Sequence, residues 1–101
     1  MSTATTLRLQ IREDLLSTNA AEFREKITGE LAAAAATKPG IVEIDLRGAR
    51  MIDSVGLNLL VMVIKKAQSW QGRTRLIVDD ANVRRTLQFT RLDNHAEIAA
   101  S

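Results

Sequence analysis

Met51-Ile52-Asp53-Ser54-Val55-Gly56-Leu57 stands where one periodicity in the sequence gives way to another. Ahead of it, Ile41-Val42-Glu43-Ile44-Asp45-Leu46 is rich in β-branched residues and reads as a strand. Behind it, apolar residues recur at helical spacing to about Gln68. Asp53 and Ser54 both suit a helix N-terminus, where free backbone N–H groups need oxygen acceptors. Gly56 falls inside the first turn, where glycine costs about 1 kcal/mol relative to alanine. That cost suggests that a side chain there would obstruct something approaching the turn. A serine hydroxyl at such a helix start, beside bare backbone, is accessible and sits in a positive field.

Working outward, Leu7-Arg8-Leu9-Gln10-Ile11 alternates apolar and polar residues and suits a half-buried strand. Arg12-Glu13-Asp14 reads as a turn, with Leu15-Leu16 as a short return strand. Asn19 looks like an N-cap, with Glu22 three positions on completing a variant of the capping box. The helix from Ala20 to about Ala36 gathers Phe23, Ile27 and Leu31 on one stripe, and Lys38-Pro39-Gly40 stops it. In the helix after the motif, Leu57, Leu60, Val61, Ile64 and Ala67 form the core stripe. Arg73 to Val78 is a third strand, Asp79-Asp80 caps a last helix over roughly 81–91, and Glu97-Ile98-Ala99 suits a final edge strand. The last helix is expected to pack through Val83 and Leu87, with Phe89 or Thr90 as further candidates. Alternating strands and helices imply an α/β fold with parallel central strands and right-handed crossovers. An N-terminal hairpin would make the sheet mixed, with four to five strands and helices packed against it.

The chain of 101 residues has room for one domain, 1–101, with 1–6 and 100–101 expected to fray. Only three aromatics occur, Phe23, Trp70 and Phe89, so the core is aliphatic and base-stacking platforms are disfavoured. The net charge of +2, with no run of five like charges, argues against nucleic acid as a partner. There is no cysteine and one histidine, His95, which leaves no disulfide and little scope for a metal site or a histidine triad. No signal peptide is visible and no apolar run approaches membrane-spanning length, so the expectation is a cytoplasmic protein without membrane insertion.

The motif also carries a resemblance. Asp53-Ser54-Val55-Gly56-Leu57 is similar to the D-S-x-G-L signature of the STAS family, the sulphate transporter and anti-sigma-factor antagonist domains. Val42-Glu43-Ile44-Asp45-Leu46-Arg47-Gly48-Ala49 resembles the family's strand and small loop, and Val83-Arg84-Arg85-Thr86-Leu87-Gln88-Phe89-Thr90-Arg91-Leu92-Asp93 its last helix. Order and spacing agree from about residue 40 to 93, and more loosely from residue 7. The resemblance implies a STAS-like fold and the anti-sigma-factor antagonist branch, part of bacterial partner switching. It implies that Ser54 is a phosphorylation site. The partners implied are a serine-kinase anti-sigma factor, which binds the unphosphorylated form, and a PP2C-type serine phosphatase, which resets it. ATP and Mg²⁺ belong to those partners, and no cofactor is expected on this chain. One departure stands out. In this family an acidic residue often lies in a G-E-L-D-like stretch near the serine loop. Here Leu15 aligns with that aspartate and Asp14 is displaced by one, leaving open whether Asp14 or Glu13 replaces it. In a strand such a slip reverses the side chain, unless a bulge restores it.

Each residue has a plainer reading. Taken alone, the pattern makes Ser54 a capping or first-turn serine; the flanking blocks turn it into a modification site. Asp53 is either an N-cap for Val55 or Gly56 or an orienter of the serine turn. Arg47 and Arg50 are expected to be solvated, the alternative being to steer an acidic partner. Asp53, Ser54, Val55, Gly56, Asn58 and Met62 are assigned to partner binding, with Asn58 and Met62 at the surface and Leu59 and Val63 in the interior. Ser54 has no histidine base beside it and no Gly-rich phosphate loop accompanies it, so no catalytic residue is expected and the chain is read as a substrate, not an enzyme. The alternative is a non-switching STAS accessory subunit of a transporter complex or a signalling scaffold; a weak nucleotide-binding module or enzyme is a third class.

Overall fold

Four short strands and three helices alternate along the chain in a computed structural model that describes residues 5–100. The order is β1 (Thr6–Gln10), α1 (Ala20–Ala34), β2 (Ile41–Asp45), α2 (Ser54–Gln68), β3 (Arg73–Val78), α3 (Ala81–Phe89), a 3₁₀ turn (Leu92–Asn94) and β4 (Glu97–Ala100). The sheet order is β1-β2-β3-β4. Each successive crossover advances one strand in the same direction. Right-handed connections of that kind place all three helices on one face. That face carries Leu9, Val42, Ile44, Leu46, Leu76 and Val78, which join Ile27, Leu31, Leu59, Leu60, Val63, Ile64 and Leu87 in one buried cluster. The core is aliphatic.

The α/β class and the four-stranded sheet agree with the sequence. The mixed sheet does not, since all three pairings are parallel. The expected hairpin fails for a visible reason. Residues 12–14 bulge away from the ladder without reversing the chain. The Ile11 N–H still donates to the Asp45 carbonyl at 2.8 Å, and Leu15 then forms an isolated parallel bridge with Ile52. Leu15 is fully buried there. The expected fraying is also cut back. The Ile41 N–H reaches the Thr5 carbonyl at 3.2 Å, so the ladder takes in Thr6, and Ala100 pairs with Val78. The remainder of that expectation, residues 1–4 and 101, lies outside the described residues.

Local chemistry sets the helix ends. Asp80 caps α3 by accepting from the Asn82 and Val83 N–H groups. Asn19 stands at the N-cap of α1, but its side chain makes no cap hydrogen bond and Glu22 completes no capping box. The Asn19 side chain points backwards instead, its Oδ1 accepting from Leu16 N at 2.9 Å and its Nδ2 donating to the Asp14 carbonyl at 2.7 Å. It closes the turn that delivers the chain from Leu15 into α1. α1 ends at Ala34, two residues early, where the Thr37 and Lys38 N–H groups turn onto the Ala34 carbonyl. Trp70 packs against the core and its Nε1–H donates to the Pro39 carbonyl at 2.8 Å. Phe89 is not a packing residue: it stands 87% exposed. Among the described residues no helix is long and apolar enough to cross a membrane.

Candidate functional site

The loops at the carboxyl ends of β1 and β2 meet at the start of α2, and aspartates fasten them. Asp53 is the N-cap of α2. Its Oδ1 accepts from the Gly56 N–H at 2.9 Å, and its Oδ2 accepts from the Ser17 N–H at 2.7 Å. Those N–H donors, Gly56 foremost and then Ser17, hold its carboxyl below the usual carboxylate range. One side chain thus starts the helix and clamps the 15–19 turn beside it. The backbone adds to the clamp, because Leu15 N–H donates to the Met51 carbonyl and Asp53 N–H to the Leu15 carbonyl.

Asp14 also reaches the loop ahead of the serine. Its Oδ1 accepts from the backbone N–H groups of Arg50 at 2.7 Å and Met51 at 3.2 Å. Glu13 is exposed and accepts from Asn19 Nδ2 at 3.2 Å. The bulge at 12–14 frees Asp14 from strand alternation, so a carboxylate one position early still reaches the loop before the serine. At the rim, Asp45 binds Arg47 through Nε at 2.9 Å and Nη2 at 2.8 Å, and Arg12 at 3.1 Å. The Arg47 guanidinium above all holds the Asp45 carboxyl far below its ordinary range. Arg47 is therefore engaged within its own chain, while the Arg50 side chain is exposed.

On this frame Ser54 is exposed at the first position of α2. Its apolar neighbours are exposed too, Val55 at 42% and Met51 at 59%. Met51, part of the motif, was not assigned to partner binding from the sequence; with Ile52 buried in its bridge to Leu15, period two turns Met51 outward. Asn58 is exposed, Met62 is half-buried, and Leu59 and Val63 lie in the core. Asn58 and Met62 share an open groove of about 530 Å³ with Val61, Lys65, Lys66 and Ser69, running along α2 away from the serine. The Thr28 hydroxyl of α1 reaches the Met62 sulfur at 3.8 Å.

Gly56 is buried, and the obstruction inferred from it lies inside the molecule. A Cβ there would run into the Leu15 carbonyl oxygen and come within 2.8 Å of Leu15 Cγ and 3.0 Å of Ile52 Cγ2. The glycine admits the β1–α1 connection to the helix start. Of the six residues assigned to partner binding, Ser54, Val55 and Asn58 are exposed, Asp53 and Met62 are partly so, and Gly56 shapes the turn from within.

The arrangement presents an exposed hydroxyl at a helix start with an apolar margin. The STAS domain family profile matches residues 2–101. A crystal structure of a candidate anti-sigma factor antagonist from Thermotoga maritima is similar, with a TM-score of 0.82 and 25% identity over 95% of this chain and 80% of that one. No curated protein matches the sequence.

Proposed function

The chain belongs to the STAS domain family, and from that premise we propose that it is an anti-sigma-factor antagonist working, as one domain, in bacterial partner switching. It binds a serine-kinase anti-sigma factor when Ser54 is unmodified and is released when that partner phosphorylates Ser54. A PP2C-type phosphatase restores the binding form. ATP and Mg²⁺ enter with the partners, and this chain is the substrate. The observation that carries the reading is the exposed Ser54 at the first position of α2, flanked by exposed Met51 and Val55.

The physics of such a switch is simple. A phosphate adds about −1.5 to −2 charges at neutral pH. At a helix N-terminus the positive end of the macrodipole tolerates that charge, so the domain stays folded. Against a partner the same dianion must lose water, and next to partner carboxylates it is repelled. Reversing a 99:1 preference takes about 5.5 kcal/mol of differential affinity, which an unpaired, desolvated dianion in an interface can supply. The groove along α2 gives the unmodified form its docking strip, with Met62 as an adaptable contact.

The test starts with co-purification from the native host and mapping of phosphosites. Ser54→Ala is expected to hold the kinase partner constitutively, and Ser54→Asp to bind it poorly. If both variants capture the partner as wild type does, and no phosphate is found on Ser54 in the cell, the switch is refuted and a non-switching STAS subunit takes its place.

A further inference from the structure

The face of the sheet that the helices leave bare carries a pattern of its own. All-parallel sheets are generally covered on both faces, yet here the three helices lie on one. On the other, Arg8, Glu43, Arg75 and Glu97 stand side by side, one from each strand, in register across the whole sheet. Neighbours in this row pair at 4.0, 3.9 and 3.3 Å. The outer ends remain open to water, with the Arg8 side chain 77% and the Glu97 side chain 62% exposed. Read from β1 to β4, the charges run plus, minus, plus, minus. Read from β4 to β1, they run minus, plus, minus, plus. The row is its own electrostatic complement under reversal.

We propose that this face binds a second copy of the chain, in a symmetric dimer whose two-fold axis runs parallel to the strands between β2 and β3. That operation lays β1 over β4 and β2 over β3 of the second copy. Arg8 then meets Glu97 of the second copy and Glu43 meets its Arg75, so four pairs form and all are of opposite sign. The rows on either side raise no conflict: Ile41 comes opposite Arg73, and Asp45, held by Arg12 and Arg47 in its own chain, comes opposite Ile77. A two-fold axis across the strands at this row would set Arg8 on Arg8 and Glu43 on Glu43, so the charge pattern selects one geometry. The interface is isologous, as closed dimers require.

The interface is small and charged. Four strands about 4.8 Å apart and five residues of about 3.3 Å each give roughly 300 Å² of sheet per copy, below the ~800 Å² per partner of a standard interface. Long arginine stems widen it. The dimer is therefore weak and is screened apart by salt. It is independent of Ser54, which lies on the helix-bearing side of the sheet's carboxyl edge.

Sedimentation equilibrium of the purified chain, at about 0.5 mM protein and at about 50 and 500 mM salt, tests the idea, since surface charge pairs weaken over that range. At low salt the expected mass approaches twice the 11.1 kDa of one chain, and it falls to one chain at high salt. Arg75→Glu and Glu43→Arg are each expected to be monomeric, because each sets like charges face to face. An equimolar mixture of the two is expected to dimerise, since every facing pair is then opposite again. The double variant on one chain keeps the pair between positions 43 and 75 and leaves every facing pair opposite in sign, while like charges now adjoin at 8/43 and 75/97 within the sheet; it is expected to dimerise alone. A wild type that stays monomeric at low salt overturns the proposal. So does a dimer that Arg75→Glu leaves intact, or a monomeric double variant with wild-type circular dichroism.

Discussion

At Asp53 one carboxylate joins two segments, capping α2 through Gly56 and fixing the 15–19 turn through Ser17. The cap was readable, because a carboxylate three residues before a helical N–H is a local arrangement. The link to Ser17 was not, since its partner is 36 residues away. Asp14 shows the same limit, because its role depends on a bulge that places it against the backbone of Arg50 and Met51. Gly56 was legible as special, and what a side chain there would meet first is the chain's own Leu15. Gly56→Ala tests this. The Leu15 carbonyl belongs to a backbone already tied to Met51 and Asp53, so it cannot swing aside. The substitution is expected to cost about 1–3 kcal/mol in urea unfolding, as overpacking does; a neutral result would mean the turn is looser than described. Ser54→Ala, by contrast, removes an exposed hydroxyl and is expected to shift stability by less than about 0.5 kcal/mol. Any loss of partner response in that variant then belongs to the site and not to the fold.

The helices divide into a side that builds the core and a side that meets solvent, and their stripes were legible because the 3.6-residue period is local. α3 shows how far the period reaches. Val83 and Leu87 are four apart and both buried, whereas Phe89 lies two residues past Leu87, about 200° around the axis. Hydrophobicity suggested packing for Phe89, and geometry sends it outward. Leu87→Ala is therefore expected to cost about 2–5 kcal/mol, and Phe89→Ala less than about 0.5 kcal/mol, both read from chemical denaturation with an unchanged slope. On α2 the comparison is between stability and binding. Met62 is half-buried beside Thr28, and a lysine stem can follow the same path with its ammonium in water. Met62→Lys is expected to leave the melting temperature nearly unchanged while weakening capture of the kinase partner. A large thermal loss would place Met62 in the core and remove it from the docking strip.

For the whole molecule, period-two alternation told which strand residues face the core but not which way the strands run, because the side-chain pattern is the same for both directions. The parallel order rests on backbone events at one end of the sheet: the bulge at 12–14, the bridge from Leu15 to Ile52, and the aspartates that fasten the connecting loops. Asp45 and Asp53 both belong to this end, and both carry lowered pKa values, held chiefly by Arg47 and by the Gly56 N–H respectively. The sign of the resulting pH dependence follows. An unfolded aspartate titrates near about 3.9. A group depressed in the folded state binds fewer protons there than in the unfolded chain, so its contribution is complete above that pH. It is lost as pH falls from there through the folded value. The unfolding free energy should thus be nearly flat from about pH 7 to 5 with respect to these two groups, and drop below about pH 4. Asp45→Asn and Asp53→Asn should each lower the plateau and flatten the acid limb, and the double variant should flatten it most. Urea titrations across that range measure both quantities. A double variant that kept the full acid slope would show that other carboxylates carry it, and that the carboxyl end of the sheet does not depend on these two ties.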